Sequence, residues 1–461
     1  MSYNFLLYDQ DQLYILPPSI QDWVSEESLA HFVSDLMDQF DSESRLGNFY
    51  TGYREDGWGR AAYHPRMMVK ALVYAYCCGV TSSRRIAHAM EDTVSMRYLS
   101  ANQQPNFRTI ADFRKDHLSA LKELFIDVLM LCQQAGLAKM GRVALDGRKV
   151  AGNAALDQNR TKEAIEKEVR RILEEAERVD AEEDDKYGPD CRGDELPEGL
   201  RTKADRLKRL KEARARLDQE ASEARQEQED KITARQEEEQ ATGRKKRGRK
   251  PKSPEEAANQ EAKANITDPE SRIMKNRRGW LQGYNGQAMA DCDSQVIIAQ
   301  DLTQAENDYQ QLAPMLEACE EQAGGCPEEV LVDAGYWSEE NARLQDNETE
   351  LFIATKKDWK QRKELKDKGA PRGRIPKNAS ARERMERKLL TKRGKTAYRQ
   401  RGATIEAVFG QMAMRGLNGF LLRGVEKTKG EWSLWCTTHN LLKLWRSGYW
   451  PSTAYAGKIG S

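Results

Sequence analysis

The sequence predicts an α/β protein that has an all-α N-terminal region and a long charged helical insertion. Apolar residues recur at spacings of three and four through the first 135 residues, which is the period of an amphipathic helix. Dense mixed charge with few apolar residues then fills residues 157–269. Beyond residue 270, short apolar runs typical of strands alternate with amphipathic helices, such as NDYQQLAPMLEACEEQAG at residues 307–324. A basic, poorly periodic stretch at residues 356–380, predicted to be irregular, precedes the final helices. We therefore predict a helical domain over 1–135, an α/β domain over 136–156 and 270–450, and the insertion between its two parts.

The composition narrows the possible classes of protein. Lys and Arg together number 74, as do Asp and Glu, so the 461-residue chain is neutral and any nucleic-acid surface must come from local clusters. The eight cysteines form no CxxC pair, which favours small buried residues over a zinc site. The N-terminus lacks the features of a signal peptide, and the most apolar stretch, residues 67–80, is too short to span a bilayer. We expect a cytoplasmic protein with no membrane partner.

The N-terminal region contains a candidate helix-turn-helix unit. Two predicted helical segments, HPRMMVKALVYAYCCGV and TSSRRIAHAMEDTVSMRYL, are separated by a break at Gly79–Ser82. Thr81 or Ser82 is the expected N-cap of the second helix. Arg84 and Arg85 open that helix, where a recognition helix would contact DNA. The alternative is an ordinary helical bundle with solvated arginines.

The insertion is predicted to form long exposed helices or a helical hairpin, because it combines dense mixed charge with very few apolar residues. The bend of the hairpin is expected near Tyr187–Pro189. A basic tract, GRKKRGRKPKSPEE, follows and is expected to be disordered. Residues 247–251 of this tract resemble a minor-groove AT-hook, although a solvated basic linker is the favoured interpretation.

Three carboxylates are the candidate catalytic residues. Two predicted strands end in aspartates, VALDG at Asp146 and VLVDAGY at Asp333, and a later helix carries Glu406 beside its apolar face. Three such carboxylates suit a pair of Mg²⁺ ions, which prefer oxygen ligands and keep open positions for phosphate and water. Two such ions stabilise both the attacking and the leaving oxygen of a phosphoryl displacement. The alternative is that each aspartate only terminates a strand or caps a loop.

Small residues accompany both parts of the candidate site. Gly147 and Gly152 follow Asp146 closely, and Gly402 and Gly410 lie one helical turn on either side of Glu406. We interpret the missing bulk as space for a DNA duplex.

The order of these segments resembles the DDE transposases of bacterial insertion sequences. The segments that carry the resemblance are LDGRKVAGNA, GYNGQAMADCDSQVIIAQDLTQAENDYQQL, LVDAGYWSEEN, YRQRGATIEAVFGQ, GFLLRG and EWSLWCTTHNLLKL. In addition, HPRMMVKALVYAYCCGV is similar to the N-terminal domain of one branch of the family. The resemblance covers nearly the whole chain outside the insertion.

The resemblance implies both a fold and a set of site residues. It implies an RNase H-like catalytic fold, a mixed sheet flanked by helices, in which Asp146, Asp333 and Glu406 bind the metal ions. It also implies that Tyr398 and Arg401, which precede the glutamate, contact DNA phosphates near the cut.

One position departs from the family pattern. A lysine is expected seven residues after the glutamate, on the same face of the helix, and this chain has Ala413. Arg415 lies about half a turn away from Glu406, so it is a candidate phosphate contact but not a simple replacement. Trp337, just beyond Asp333, could stack on a flipped or terminal base. The alternative for Trp337 is a core position beside a strand end.

A second group of polar residues is expected to be structural. His439 and Asn440 lie in an apolar helix, where a hydrogen-bonded core histidine is favoured over a catalytic one. Asp291, Asp293 and Asp301 are expected at a hairpin turn and a strand end.

The sequence therefore predicts a DNA transposase that cuts at transposon ends by Mg²⁺-dependent hydrolysis and joins the freed 3′-hydroxyl to target DNA. Mn²⁺ is expected to substitute for Mg²⁺. The expected partners are double-stranded DNA, both terminal inverted repeats and target, and a second copy of the chain, because two ends must be held together. The expected location is the cytoplasm, at the nucleoid. Two alternatives stay open: a metal-dependent nuclease that cuts without joining, and a catalytically silent DNA-binding or scaffold protein derived from a transposase.

Overall fold

The computed structural model describes residues 19–53, 61–172, 198–242, 253–255, 263–276, 279–344, 349–376 and 378–451. Residues 243–252 of the basic tract, which include the candidate AT-hook, and the predicted hairpin bend lie outside these residues. None of the helices in the described part of the chain is long and apolar enough to cross a membrane.

The N-terminal region is all-helical, as predicted. Its helices are α1 (Leu29–Ser42), α2 (Pro65–Cys77), α3 (Ser83–Asp92), α4 (Val94–Leu99), α5 (Phe107–Asp116) and α6 (Leu118–Gln134). Ser28 caps α1, since its Oγ accepts a hydrogen bond from the His31 amide at 3.3 Å. Gly79 lies in the turn between α2 and α3 with φ +75°, and a Cβ there would collide with the carbonyl oxygen of Arg415. The turn therefore requires glycine for both its backbone conformation and its packing.

A six-stranded mixed sheet forms the α/β region. Its strands are β1 (Arg142–Ala151), β4 (Arg272–Asn276), β5 (Gly279–Asp291), β6 (Ile297–Thr303), β7 (Glu329–Val332) and β8 (Glu350–Ile353), while β2 (Asn159–Thr161) and β3 (Lys263–Asn265) form a separate pair. The spatial order is β6, β5, β1, β7, β8, and β4 pairs with the first part of β5. β1 runs antiparallel to β5 and parallel to β7. This is the α/β, RNase H-like sheet that the sequence predicted.

The hairpin between β5 and β6 turns where the sequence places it. Asp291 Oδ1 accepts hydrogen bonds from the amides of Asp293 at 2.9 Å and Ser294 at 2.8 Å, which closes the turn. The side chain of Asn440 pairs with the backbone of Ile297 at the start of β6, with both hydrogen bonds at 2.8 Å. Asn440 therefore has the structural role expected of it.

The described part of the insertion is helical and has a small core of its own. Residues 162–172 form α7, and α8 (Glu198–Thr242) is 45 residues long, or about 68 Å at 1.5 Å per residue. The residues of its core come from α7, the first half of α8 and β3: Ile165, Ile172, Leu210, Ala213, Leu217 and Ala264, with Ile266 beyond β3. The second half of α8 is polar and mostly exposed.

Helices flank the sheet in the C-terminal part of the chain. They are α9 (Leu312–Ala323), α10 (Glu339–Arg343), α11 (Asp358–Asp367), α12 (Ala381–Leu390), α13 (Lys392–Arg401), α14 (Ala407–Met414) and α15 (Val425–Arg446), and a π-helical turn (Gly402–Glu406) joins α13 to α14. Two of these helices differ from prediction. α9 begins only at Leu312 and leaves residues 307–311 as a loop, and α11 forms in a stretch predicted to be irregular.

One hydrophobic core joins the N-terminal helices to the sheet. α15 runs through the middle of this core, where Trp432 and Trp435 are fully buried. It packs against α6 and α2 on one side and β6 on the other. The N-terminal helices are therefore attached to the α/β region through shared packing rather than through a flexible linker.

Candidate active site

Asp146 and Asp333 lie side by side because of the register of two parallel strands. β1 pairs with β7 through Arg142 with Glu329 and Ala144 with Leu331. Continuing this register by two residues sets Asp146 level with Asp333, which follows the last residue of β7. Asp333 is at a strand end, as predicted, but the prediction that β1 ends at Asp146 is wrong. β1 continues to Ala151 because β5 supplies an antiparallel partner along its whole length.

Arg401 is a buried cation at the centre of the acidic residues. Its side chain is only 4 % exposed. Its Nη1 lies 3.2 Å from Asp146 Oδ2, and its Nη2 lies 3.6 Å from Asp358 Oδ1 and 3.7 Å from Glu406 Oε1. Arg401 thus connects a strand residue with a helix residue far along the chain.

Glu406 projects from the π-helical turn at 49 % exposure. The apolar face predicted for this segment is buried, since Ile405, Val408 and Met412 have no exposed surface. A π-helical turn shifts the side chains that follow it relative to a regular helix, and such turns are frequent at functional sites. Glu406 Oε1 also contacts Arg362 Nη2 at 3.4 Å.

Asp358 is a further acidic residue at this centre that the sequence analysis missed. Its Oδ1 accepts a hydrogen bond from the Tyr398 hydroxyl at 2.7 Å, and its Oδ2 lies 2.9 Å from Arg362 Nε. Asp358 thereby orients both Tyr398 and Arg362 beside Arg401. The available signal was the spacing of Asp358 and Arg362, which are four residues apart in a charge-rich stretch and can pair on a helix.

The pKa values of Asp146 and Asp333 are raised because both carboxyls are buried close to other acidic groups. Burial and, after it, the charge of Asp333 raise the pKa of the Asp146 carboxyl to about 7, against the opposing influence of Arg401. Burial also raises the pKa of Asp333, again against the influence of Arg401. Burial alone would lower the pKa of Arg401, but the carboxylates of Asp146 and Asp333 outweigh it and raise this pKa. The centre therefore carries excess negative charge that favours a bound cation.

The small residues near Asp146 accommodate the protein's own atoms. A Cβ at Gly147 would lie 2.5 Å from Asp308 Oδ1 and 2.8 Å from Asn285 Oδ1. Gly152 lies against Gly283 of β5, where a Cβ would be in van der Waals contact at 3.5 Å. The interpretation that this side of the site is empty space for a duplex is therefore wrong.

Of the two glycines near Glu406, one contacts other side chains and the other borders open space. A Cβ at Gly402 would lie 3.4 Å from Arg362 Nη2, so this glycine accommodates the contact between Arg362 and Glu406. No atom lies within 4 Å of a Cβ built at Gly410. Open space is thus confined to the Gly410 side of the helix.

A basic cleft of about 410 Å³ lies beside Glu406. Tyr398 and Arg401 line it, although little of either side chain is exposed. Exposed cations also line it; they are Arg362, Lys366 and Arg399. The sequence analysis identified none of these cations; Arg362 and Lys366 lie on α11, which was predicted to be irregular.

The remaining candidate DNA-contacting residues lie in different environments. Arg84 and Arg85 are exposed on α3. Trp337 is partly buried and packs against the core. Arg415 is turned inward: its Nη1 lies 3.3 Å from Thr438 Oγ1, and its guanidinium stacks over Trp435. In this arrangement Arg415 does not present its charge to a DNA backbone.

His439 has the structural role expected of it. Its Nε2 donates a hydrogen bond to the carbonyl oxygen of Gln295 at 2.8 Å, and the side chain is buried within α15. Burial lowers the pKa of His439 to about 3, so the ring is neutral.

Two family models match the chain. One describes a transposase domain (DUF772) and matches residues 18–116, which include the candidate helix-turn-helix unit. The other describes a transposase DDE domain and matches residues 355–445, which include Asp358, Arg401 and Glu406. Neither a curated protein nor a solved structure matched the chain. Both matches are to transposase domains, and together with the mixed sheet they support a DDE transposase of an insertion sequence.

Proposed function

We propose that this DNA transposase cuts at the ends of its element by metal-dependent hydrolysis and joins the freed 3′-hydroxyl to target DNA. Asp146, Asp333 and Glu406 are the proposed metal-binding residues. The observation that carries the proposal is the pairing of β1 with β7, which sets Asp146 level with Asp333. Glu406 is connected to the same centre through Arg401.

The chemistry of the donor groups fits divalent ions such as Mg²⁺ or Mn²⁺. The candidate ligands are carboxylate oxygens, which these ions prefer. Among the described residues, no three acidic, histidine or cysteine side chains come close enough together to hold one ion. The guanidinium of Arg401 lies among the acids instead and compensates their charge. Binding of an ion therefore requires the Arg401 contacts to lengthen.

The residues of the chain would orient the ligand oxygens before a metal binds. Asp146 Oδ1 accepts a hydrogen bond from the Gly147 amide at 2.8 Å, and Asp333 Oδ1 accepts one from the Gly335 amide at 2.7 Å. The Gly147 amide thus engages one oxygen of Asp146, while the other oxygen, Oδ2, contacts Arg401 at the centre. A bound divalent ion would activate the attacking oxygen and stabilise the leaving oxygen.

The DNA surface is proposed to combine the basic cleft with α3. Arg84 and Arg85 would contact the terminal repeat, as in a helix-turn-helix unit. Tyr398 and Arg401 line the cleft where phosphates would lie near the cut, and Trp337 follows Asp333 closely enough to stack on a base there. The proposed partners are thus the terminal inverted repeats and the target DNA. The proposed location is the nucleoid in the cytoplasm.

A homodimer on DNA is part of the proposal. Strand transfer joins two transposon ends to one target, so both ends must be held together. α8 is a candidate for this contact, because its polar second half extends from the small core of the insertion.

The test uses DNA that carries the inverted repeats flanking the gene of this protein. The DNA is incubated with Mg²⁺ and the wild type, Asp146→Asn or Glu406→Gln, and 3′ ends and joined products are mapped on sequencing gels. Asp112→Asn and Glu339→Gln are matched controls, since both residues are exposed and lie outside the centre. We expect nicks at the repeat boundary and joined products with the wild type and both controls. We expect a loss of at least about 100-fold with the two centre variants.

Other outcomes would select the alternatives. Cutting without any joined product would indicate a nuclease. Binding of the repeats without cutting in Mg²⁺ or Mn²⁺ would indicate a scaffold protein, consistent with Ala413 at the position where the family pattern has lysine.

A further inference from the structure

A further carboxylate, that of Asp308, lies near Asp146 and Asp333. A Cβ built at Gly335 would lie 2.9 Å from Asp333 Oδ1 and 3.6 Å from Asp308 Oδ2, so these two oxygens lie within about 6.5 Å of each other. The charge of Asp308 also contributes to the raised pKa values of Asp146 and Asp333. Asp308 lies in the loop before α9, where the sequence analysis predicted helix.

Two amides of β5 hold one oxygen of Asp308 in place. Asp308 Oδ1 accepts hydrogen bonds from Asn285 Nδ2 at 2.7 Å and from Gln287 Nε2 at 2.8 Å. The buried Tyr336 hydroxyl donates to Gln287 Oε1 and so fixes the orientation of that amide. Among the described residues, no group donates to Asp308 Oδ2. Oδ1 thus holds the carboxylate in position, and Oδ2 is available to contact a ligand.

An unpartnered buried oxygen lies beside this carboxylate. Asn285 has no exposed surface, and its Oδ1 finds no hydrogen-bond partner in the part of the chain that the structure describes. The amide cannot be flipped, because Nδ2 donates both to Asp308 and to the Ala305 carbonyl oxygen at 3.2 Å. Asn285 Oδ1, Asp308 Oδ1 and Gln287 Nε2 all lie within 3 Å of the Cβ position of Gly147.

The polar network therefore extends to the strand position next to Asp146. A buried acceptor without a donor is costly unless a ligand or water satisfies it. The unpartnered Asn285 Oδ1 and the available Asp308 Oδ2 therefore indicate a binding site for a positively polarised group.

We propose that Asp308 supplies a fourth carboxylate ligand to the divalent ions bound by Asp146 and Asp333, and that Asn285 and Gln287 are positioning residues that hold it. This inference rests on the proposed function. It extends the ligand set by a residue from the loop between β6 and α9. Asp308 Oδ2 is the oxygen that would bind.

The test measures Mn²⁺ binding to the DNA-free, full-length protein by electron paramagnetic resonance of free Mn²⁺. Asp308→Asn is the main variant, because its side-chain oxygen can still accept the two amide hydrogen bonds while the anionic oxygen is lost. Glu306→Gln is the matched control, since Glu306 is an exposed acid in the same loop. Asp146→Asn reports on the proposed function itself. Thermal unfolding in EDTA, measured by circular dichroism, checks that each variant folds.

We expect Asp308→Asn to weaken Mn²⁺ binding by about 10-fold or more, with a smaller Mn²⁺-induced rise in Tm, and Glu306→Gln to match the wild type. If Asp308→Asn does not fold, Asp308→Ser is the second variant and must show the same loss. Unchanged Mn²⁺ affinity in the folded Asp308 variant, with a loss in Asp146→Asn, overturns this inference alone. No Mn²⁺ binding by the wild type, or no loss in Asp146→Asn, overturns the proposed metal site and this inference together.

Discussion

Arg401 illustrates how one buried cation can compensate several carboxylates in the folded protein. Its buried guanidinium lies between Asp146, Asp358 and Glu406, each within 3.7 Å. A cation with this little exposure is screened only weakly by solvent, so its contacts are stronger than those of a surface pair. The residue was singled out in the sequence for a phosphate contact. In the structure its immediate partners are carboxylates.

Replacing Arg401 is expected to destabilise the protein mainly when metal is absent. Arg401→Met leaves buried carboxylates without compensation, so the free energy of unfolding in EDTA should fall by about 3 kcal/mol. Saturating Mg²⁺ should raise the free energy of unfolding more in the variant than in the wild type, because the ion neutralises the same acids. Urea unfolding in EDTA and in Mg²⁺ measures both quantities. Arg343→Gln is the control, since Arg343 is 75 % exposed. An equal loss with and without Mg²⁺ would contradict the idea that Arg401 and the ion compensate the same charges.

Residue-level prediction succeeded where a local pattern was sufficient. The hairpin turn at Asp291 and the core histidine at position 439 followed from turn chemistry and an apolar surrounding. Asp308 was missed because its position depends on where α9 begins, and a helix start is set within a few residues by tertiary contacts. The amides of Asn285 and Gln287, which hold Asp308, are distant in sequence and gave no local signal.

At the scale of elements, two departures from prediction shape the site. β1 continues past Asp146 because β5 pairs with it as far as Ala151, which overrides the strand-ending signal of Gly147. α11 forms without an apolar period, through charge pairs such as Asp358 with Arg362 and Glu364 with Lys368. Pattern analysis relies on apolar residues and therefore missed this helix. As a result, the basic side of the cleft was not predicted.

The α11 and α13 side of the cleft is expected to contact DNA phosphates. The double variant Lys366→Gln/Arg399→Gln removes two exposed cations that line the cleft. The slope of log affinity for DNA against log salt concentration should become less negative by about 2, since each lost phosphate contact changes it by about 0.9. Fluorescence anisotropy with repeat DNA over a salt series measures the slope.

The control for this experiment lies on the same helix. Lys360→Gln/Lys363→Gln removes two cations of α11 that are exposed but do not line the cleft. Mn²⁺ binding and Tm should be unchanged in both double variants. An equal change of slope in the two double variants would mean that the helix attracts DNA by its overall charge and that the cleft is not the phosphate-binding surface.

The described part of the molecule has two hydrophobic cores, whereas the sequence predicts three regions. The N-terminal helices and the sheet share one core around α15, whereas α7 and the first half of α8 form a separate small core. The insertion meets the rest of the chain at the pair of strands β2 and β3, where Thr161 lies opposite Lys263. Its other contacts with the sheet region are polar, such as the ion pair of Arg272 with Glu220 at 2.7 Å.

The insertion is therefore expected to be removable without unfolding the rest of the protein. Replacing residues 162–262 with an Asn-Gly turn joins two strands that already face each other across an antiparallel pair. Because the main core is untouched, Tm should change by no more than about 2 °C, which corresponds to about 1.5 kcal/mol for a chain of more than 300 residues. Repeat DNA should still be nicked in Mg²⁺, since the centre around Arg401 lies in the main core. If α8 supplies the dimer contact, light scattering should show complexes of one chain with one DNA end rather than of two chains with two ends, and joined products should be lost. Deletion variants that aggregate, or that unfold at a much lower temperature, would instead show that the insertion stabilises the main core.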